Sequence, residues 1–315
     1  MLLTLAANSF RRRLLAPRSS PDALALTDLP AYAREQLGLY GLNVATDLLA
    51  GADQHTLDKL RDAADKASCP CLVLVEPKPL AFAAVDDDAG DAAIARMRRV
   101  VQAAHRLGCN SAAVGVTNDD NPDALEYAAD RLKRVMQGAE RMEVNLLLMA
   151  QPGKDETPEK LTDLIKKIGG FRIGTFPDFQ TAAASPDAVH FLRRLTPYAS
   201  AVTAAAVSFR DIKKSPGVVH EPYDLIEYVK VIESVGYQGT LAIDFRGEGD
   251  VEQGVKNARD VLIWALGDQI EEMGDDDELD LGPLDDDEES GEKEVEPDDD
   301  EEEDEEDDDL EGKDE

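Results

Sequence analysis

Two aspartates stand where a carboxylate is hardest to keep charged. Asp178 follows Gly174-Thr175-Phe176-Pro177, and Asp244 follows Leu241-Ala242-Ile243. A carboxylate delivered by apolar chain loses hydration, so it must be ion-paired or metal-bound to stay ionised. For Asp244 a salt bridge to a neighbouring arginine is the plain alternative to a metal, and Arg246 lies two residues on. Other polar groups also sit at the ends of apolar runs: Asn8 and Ser9, Asn43 and Asp47, Glu76 and Lys78, Asn118 to Asp120, Gln151, Gln180, Thr203, Ser208, Arg210 and Asp211. Arg210 suits a phosphate or carboxylate on a ligand, with a surface role as the alternative. Glu76 is either a ligand contact or the ion-pair partner of Lys78. The histidines add little. His55, His105 and His190 fall in expected helices, and His220 falls in a loop that could swing over a site.

The elements that must carry these groups alternate in type. Eight short apolar runs read as buried strands: Leu2–Ala7, Gly41–Asp47, Cys71–Glu76, Ser111–Val116, Val144–Met149, Phe171–Phe176, Val202–Ser208 and Thr240–Phe245. Continuous rather than alternating apolarity suits a parallel sheet covered on both faces. The runs start about 34 residues apart, room for one strand, one helix and two loops. Between them lie amphipathic segments. Ile94, Met97, Val101 and Ala104 form one stripe, and Gly108 follows it. Thr157-Pro158 opens another, and Asn121-Pro122 and Ser185-Pro186 open two more. Segments 222–235 and 250–267 complete the set. Eight strand–helix units in this length match a (β/α)8 TIM barrel, whose functional groups gather at strand C-terminal ends. A doubly wound sheet is the alternative, but neither GxGxxG nor a P-loop occurs, and the first strand runs into Ala7-Asn8-Ser9-Phe10-Arg11.

Charge divides the 315 residues at position 267. Of 67 acidic residues, 31 lie in 268–315 beside only 2 lysines, whereas 1–267 hold 36 acids and 31 bases. The expected organisation is a TIM-barrel domain over 1–267 and a disordered polyacidic tail over 268–315. Such a balance argues against nucleic acid as a partner, and the tail would repel anionic membrane surfaces. No apolar run approaches the ~20 residues of a membrane span. Leu2–Ala7 precedes Arg11-Arg12-Arg13, the reverse of a secretory signal. Three cysteines (Cys69, Cys71, Cys109) imply no disulfide framework, which with the rest indicates a cytoplasmic protein.

Four segments in order resemble the xylose isomerase-like TIM barrels, a group that includes sugar phosphate isomerases/epimerases and endonuclease-IV-type enzymes. They are Asp28-Leu29-Pro30-Ala31-Tyr32-Ala33-Arg34-Glu35, Gly174 to Phe179, Pro197-Tyr198-Ala199, and Gly236-Tyr237-Gln238-Gly239-Thr240-Leu241-Ala242-Ile243-Asp244-Phe245-Arg246-Gly247. The resemblance spans about 1–267. It implies a divalent metal held by two Glu, one Asp and one His, with a carboxylate moving a proton beside a carbonyl. Carried over by position, the glutamate of strand 5 falls on Ala150 and the histidine of strand 7 on Thr203. Asp178 is retained, and Asp244 replaces the glutamate of strand 8. The expectation is therefore a degenerate site. Asp178 and Asp244 hold Mg²⁺ or Mn²⁺ weakly or not at all. Asp244 is the one candidate catalytic base, and Glu76, Gln151, Arg210 and Arg246 are candidate substrate contacts. An endonuclease role needs more His, Asp and Glu ligands than the strand ends supply.

Three readings follow. One is a sugar or sugar-phosphate isomerase/epimerase with a weak metal site. Another is a non-catalytic barrel that binds a small sugar, a polyol or a protein. In the third, the tail carries the function by contacting basic proteins or cations.

Overall fold

The computed structural model describes residues 1–117, 121–151 and 157–272, the side chains of 268–272 excepted. The expected disorder of the tail beyond Glu272, and Asn118 to Asp120, lie outside the described residues. In chain order, β1 (Leu2–Ala6) runs through a 3-10 turn (Ala7–Phe10) into one helical turn, α1 (Arg11–Leu14). Then come α2 (Leu29–Gln36), β2 (Leu42–Ala45), α3 (Gln54–Lys66), β3 (Cys71–Leu80), α4 (Asp87–Leu107), β4 (Ser111–Val116), α5 (Ala124–Arg141), β5 (Asn145–Met149) and α6 (Pro158–Ile168). They are followed by β6 (Ile173–Thr175), α7 (Phe179–Ala183), α8 (Ala188–Leu195), β7 (Ala201–Ala206), β8 (Ser208–Asp211), β9 (Val218–Glu221), α9 (Leu225–Glu233), β10 (Thr240–Phe245) and α10 (Val251–Glu272).

Eight strands form one parallel sheet in the order β6-β5-β4-β3-β2-β1-β10-β7. Its two ends meet through bridges Thr175↔Ala199 and Asp178↔Thr203, the second carried by a 2.8 Å bond from the Thr203 N–H to the Pro177 carbonyl. The architecture is the TIM-barrel α/β fold that the strand spacing predicts. Burial follows strand alternation. Leu5, Leu42, Leu74, Leu148, Val202 and Ile243 face the helices and pack with Ile94, Met97, Leu132, Leu164, Ile232 and Leu262. Val73, Ala113, Leu147, Phe176 and Ala201 fill the inside. The three cysteines carry free, buried thiols. Burial pushes the thiols of Cys69 and Cys71 up to about 11 and about 12, which suits core packing rather than reactivity. No described helix is long and apolar enough to cross a membrane.

Element ends depart from the sequence expectation for local reasons. The sixth strand starts at Ile173, not Phe171. Gly169 and Gly170 turn the chain at positive φ, and Phe171 is fully exposed. The seventh ends at Ala206, because the Val207 N–H leaves the ladder and donates to His220 Nε2 at 2.8 Å. Beyond it lies an antiparallel hairpin, β8–β9, where a loop was expected. The helices expected at Asn121-Pro122 and Ser185-Pro186 begin slightly later. Asp187 rather than Ser185 caps α8, accepting from the His190 N–H. The last helix continues past 267 to Glu272.

Candidate functional site

At the C-terminal ends of the strands lies a cavity of about 320 Å³, within the range of small-ligand sites, about 300–1,000 Å³. Its apolar wall comes from Ala6, Ala45, Val75, Pro77, Met149, Ala150 and Phe176. Its polar groups are Asn8, Asn43, Gln151, Asp178, Thr181, Thr203, Asp244 and Arg246.

Arg246 organises the centre. Its backbone N–H donates to the Ala206 carbonyl at 2.7 Å, which ties the end of β10 to β7. Gly247 permits the approach, since a Cβ there would stand 1.7 Å from the Val207 carbonyl oxygen. From this anchor the guanidinium makes a fork. Nε donates to Asp244 Oδ2 at 2.8 Å. The two terminal nitrogens reach Asp178 Oδ1 at 3.2 Å and Oδ2 at 2.5 Å. One of them also meets Gln180 Oε1 at 2.8 Å. Burial would lower the pKa of this guanidinium, but the charges of Asp178 and Asp244 outweigh it and hold the value above the ordinary one. Asp178 is held from the other side as the N-cap of α7, accepting from the Thr181 N–H at 2.9 Å. Asp244 Oδ1 accepts long bonds from Asn8 Nδ2 at 3.4 Å and Ser9 Oγ at 3.5 Å. Asp244 is 4% exposed, so desolvation without this partner would be costly.

This donor set does not fit a divalent ion. Ala150 carries no lone pair, Thr203 offers only a hydroxyl, and the two carboxylates already share one guanidinium. No group of three or more His, Cys, Asp or Glu side chains placed to hold a metal occurs among the described residues. A cation arriving between Asp178 and Asp244 would have to displace Arg246 or sit against its charge.

The other expected contacts divide. Gln151 lines the cavity, and Gly115 on β4 makes its room: a Cβ there would lie 1.9 Å from Gln151 Nε2. Glu76 and Arg210 do not line it. Glu76 points into the layer between barrel and helices. There Arg96 of α4 donates to it at 2.7 Å through Nε, and Thr46 Oγ1 bonds it at 3.1 Å. The partner expected for it, Lys78, reaches it only through the backbone N–H at 3.4 Å. Arg210 is on the hairpin, 62% exposed, and pairs with Glu221 at 2.8 Å. Asp47 pairs with Arg11, whose hydrogen bond holds its carboxyl below the usual range. His220 does not swing over the mouth. It is 3% exposed, accepts at Nε2 from Val207, and donates from Nδ1 to the Tyr223 carbonyl at 2.7 Å. Those two bonds require the neutral ring.

The residue that mattered more than its sequence context suggested is Asn43. It lies mid-strand on β2, 4% exposed, and neither amide atom has a hydrogen-bond partner among the described residues. An unpaired buried amide costs about 1–3 kcal/mol. One polar residue inside Leu42-Asn43-Val44-Ala45 is the signal that marks it.

Comparison with solved structures finds the same architecture. "Structure of L-ribulose 3-epimerase" superposes with a TM-score of 0.70 at 14% identity, covering 86% of this chain and 97% of the other. "Crystal structure of D-psicose 3-epimerase (DPEase) in the presence of D-fructose" gives 0.68 at 12% identity, covering 85% and 100%. An IOLI protein "with a binding zinc atom" gives 0.66 at 12% identity, covering 85% and 99%. At such identities the likeness is one of fold. A search of curated proteins finds no match. The family model described as "Xylose isomerase-like TIM barrel" matches residues 32–264, a stretch that contains Asp178, Asp244 and Arg246, and on that match this chain belongs to the xylose isomerase-like TIM barrel family.

Proposed function

We propose that the barrel mouth binds a small neutral sugar or polyol without a divalent metal, and that the metal-assisted proton transfer implied by the family resemblance does not run here. The observation that carries this reading is the Arg246 guanidinium clasped between Asp178 and Asp244 in the cavity. These three charges sum to −1, which disfavours phosphate and carboxylate on the ligand. The guanidinium supplies the fixed positive charge that a relative's metal would supply; all three of its nitrogens bond the aspartates, and the second hydrogen of the nitrogen on Asp178 Oδ2 is the one left to meet a ligand oxygen. Proton transfer is poorly served. Ala150 has no base, and Asp244 already accepts from Arg246, Asn8 and Ser9. Taking a proton would neutralise Asp244 and forfeit its ion pair with the Arg246 guanidinium. Family membership in a sugar isomerase/epimerase-like group supports the ligand class, as do neighbours described with L-ribulose and D-fructose in their names.

Calorimetry of the full chain in EDTA with D-fructose, L-ribulose and sorbitol tests binding. NMR in deuterated water tests proton exchange beside the ketose carbonyl. Binding without deuterium uptake is the expected result. Uptake that needs Mn²⁺ and disappears in Asp244→Asn would restore the metal-dependent isomerase. A second activity is favoured by composition: 31 acids and 2 lysines in 268–315 suit contact with basic proteins or cations. We place the protein in the cytoplasm, where Cys69, Cys71 and Cys109 would stay reduced.

A further inference from the structure

We propose that Asn43 sets ligand specificity in the barrel cavity, its carboxamide taking an adjacent hydroxyl–carbonyl or hydroxyl–hydroxyl pair of a neutral polyhydroxy ligand; this rests on the sugar-binding reading above. Three observations carry it. Asn43 is held in register between Ala6 of β1 and Val73 of β3, so its place in the wall is fixed. The pairing of β2 with β3 is irregular between Leu42 and Asn43, the kind of interruption that re-aims a side chain. The side chain lines the cavity, is buried, and has both amide atoms unpartnered among the described residues.

A structural role would show itself as a bond. Asparagine serves a fold by capping helices or closing turns, and here it does neither. At a mid-strand position a valine or alanine would fill the wall with no polar group to desolvate. The neighbouring short side chains, Ala6 and Ala45, line the same cavity and leave room for a ligand to reach the amide. A carboxamide presents two donors and one acceptor in a single plane. A ligand oxygen that accepts, next to a hydroxyl that donates, satisfies both ends at once. Phosphate offers only acceptors at full ionisation, and hydrocarbon offers neither.

The test uses the full-length protein in EDTA, with D-fructose and its monodeoxy analogues as probes, and with Asn43→Ala and Asn43→Leu as variants. Affinities come from calorimetry, and unfolding temperatures are measured without sugar. For wild type, one monodeoxy analogue should bind roughly tenfold or more weakly than D-fructose. Asn43→Ala should lose a similar factor for D-fructose and no longer distinguish that analogue. Asn43→Leu should unfold at the same or a higher temperature. Equal D-fructose affinity in wild type and Asn43→Ala would overturn the proposal. So would a lower unfolding temperature in both variants, since the amide would then be satisfied within the fold. Failure of wild type to bind any of these sugars would instead overturn the sugar-binding reading, and the proposal with it.

Discussion

Arg246 carries more of this site than either aspartate. Its planar fork satisfies Asp178 through two nitrogens and Asp244 through the third, a geometry that an ammonium cannot reproduce. Arg246→Ala would leave two carboxylates side by side, one of them deeply buried. Urea unfolding should show a loss of about 2–4 kcal/mol, because breaking a buried pair strands its partner. The same variant should gain weak Mn²⁺ binding by calorimetry, while wild type shows none attributable to this pair. Arg246→Lys should recover only part of the stability. Glu76 invites the opposite result. Its partner Arg96 and its neighbour Thr46 lie outside the cavity. Glu76→Gln should lower stability by about 1–3 kcal/mol and leave sugar affinity unchanged. Sequence spacing suggested Lys78 for Glu76 because two residues apart on a strand share a face. Packing of α4 against β3 supplied Arg96 instead, and that contact spans 20 residues of sequence.

The β8–β9 hairpin shows how an element can be hidden in what reads as a loop. Its strands are four residues each; β8 is mostly exposed and the apolar stretch of β9 is only Val218-Val219, so neither carries a strand-length apolar run. Its anchor is His220, which lies against the rings of Phe209 and Tyr223 and is bonded to the Val207 N–H and the Tyr223 carbonyl. Burial lowers its pKa, against smaller raising effects from the Tyr223 carbonyl and the charges of Asp224 and Glu221. The folded protein thus resists protonation that the unfolded chain accepts. The stability this contributes is fully present above the unfolded value near 6.5, and it is lost as pH falls through the lower folded value. Urea midpoints from pH 8 down to pH 5.5 should fall more steeply in wild type than in His220→Gln, which cannot titrate. Equal slopes would remove His220 as the source.

Over the full chain, acidic charge is concentrated in 268–315, and the tail contacts proposed above are tested there. Poly-L-lysine should bind through 268–315, where 31 acids face 2 lysines. That binding should vanish near 1 M salt, where the Debye length shrinks to about 3 Å. Sugar affinity at the barrel should barely respond to the same salt, since hydrogen bonds to a neutral ligand are little screened. A sugar affinity that fell in parallel would count against hydrogen bonding to a neutral ligand as the source of that affinity.

The fold was legible because a parallel barrel writes itself locally. Each strand is buried on both faces, so all eight appear as continuous apolar runs, and each helix shows its stripe between them. Glycine turns and proline starts marked most boundaries to within a few residues. The two aspartates were also legible, as charges directly behind apolar residues. Strand ends such as Ala206 were not, because a side chain 13 residues later decides where the ladder stops. Nor was the character of the site. The family resemblance implied that Ala150 and Thr203 stand where a glutamate and a histidine would hold a metal. Only the closed barrel, bringing Asp178 within reach of an arginine 68 residues away, made Arg246 the cation between the carboxylates and left the Asn43 amide facing the cavity without a hydrogen-bond partner among the described residues. Hydrophobic patterning is a property of neighbours in sequence, whereas charge pairing depends on which strand ends the barrel brings together.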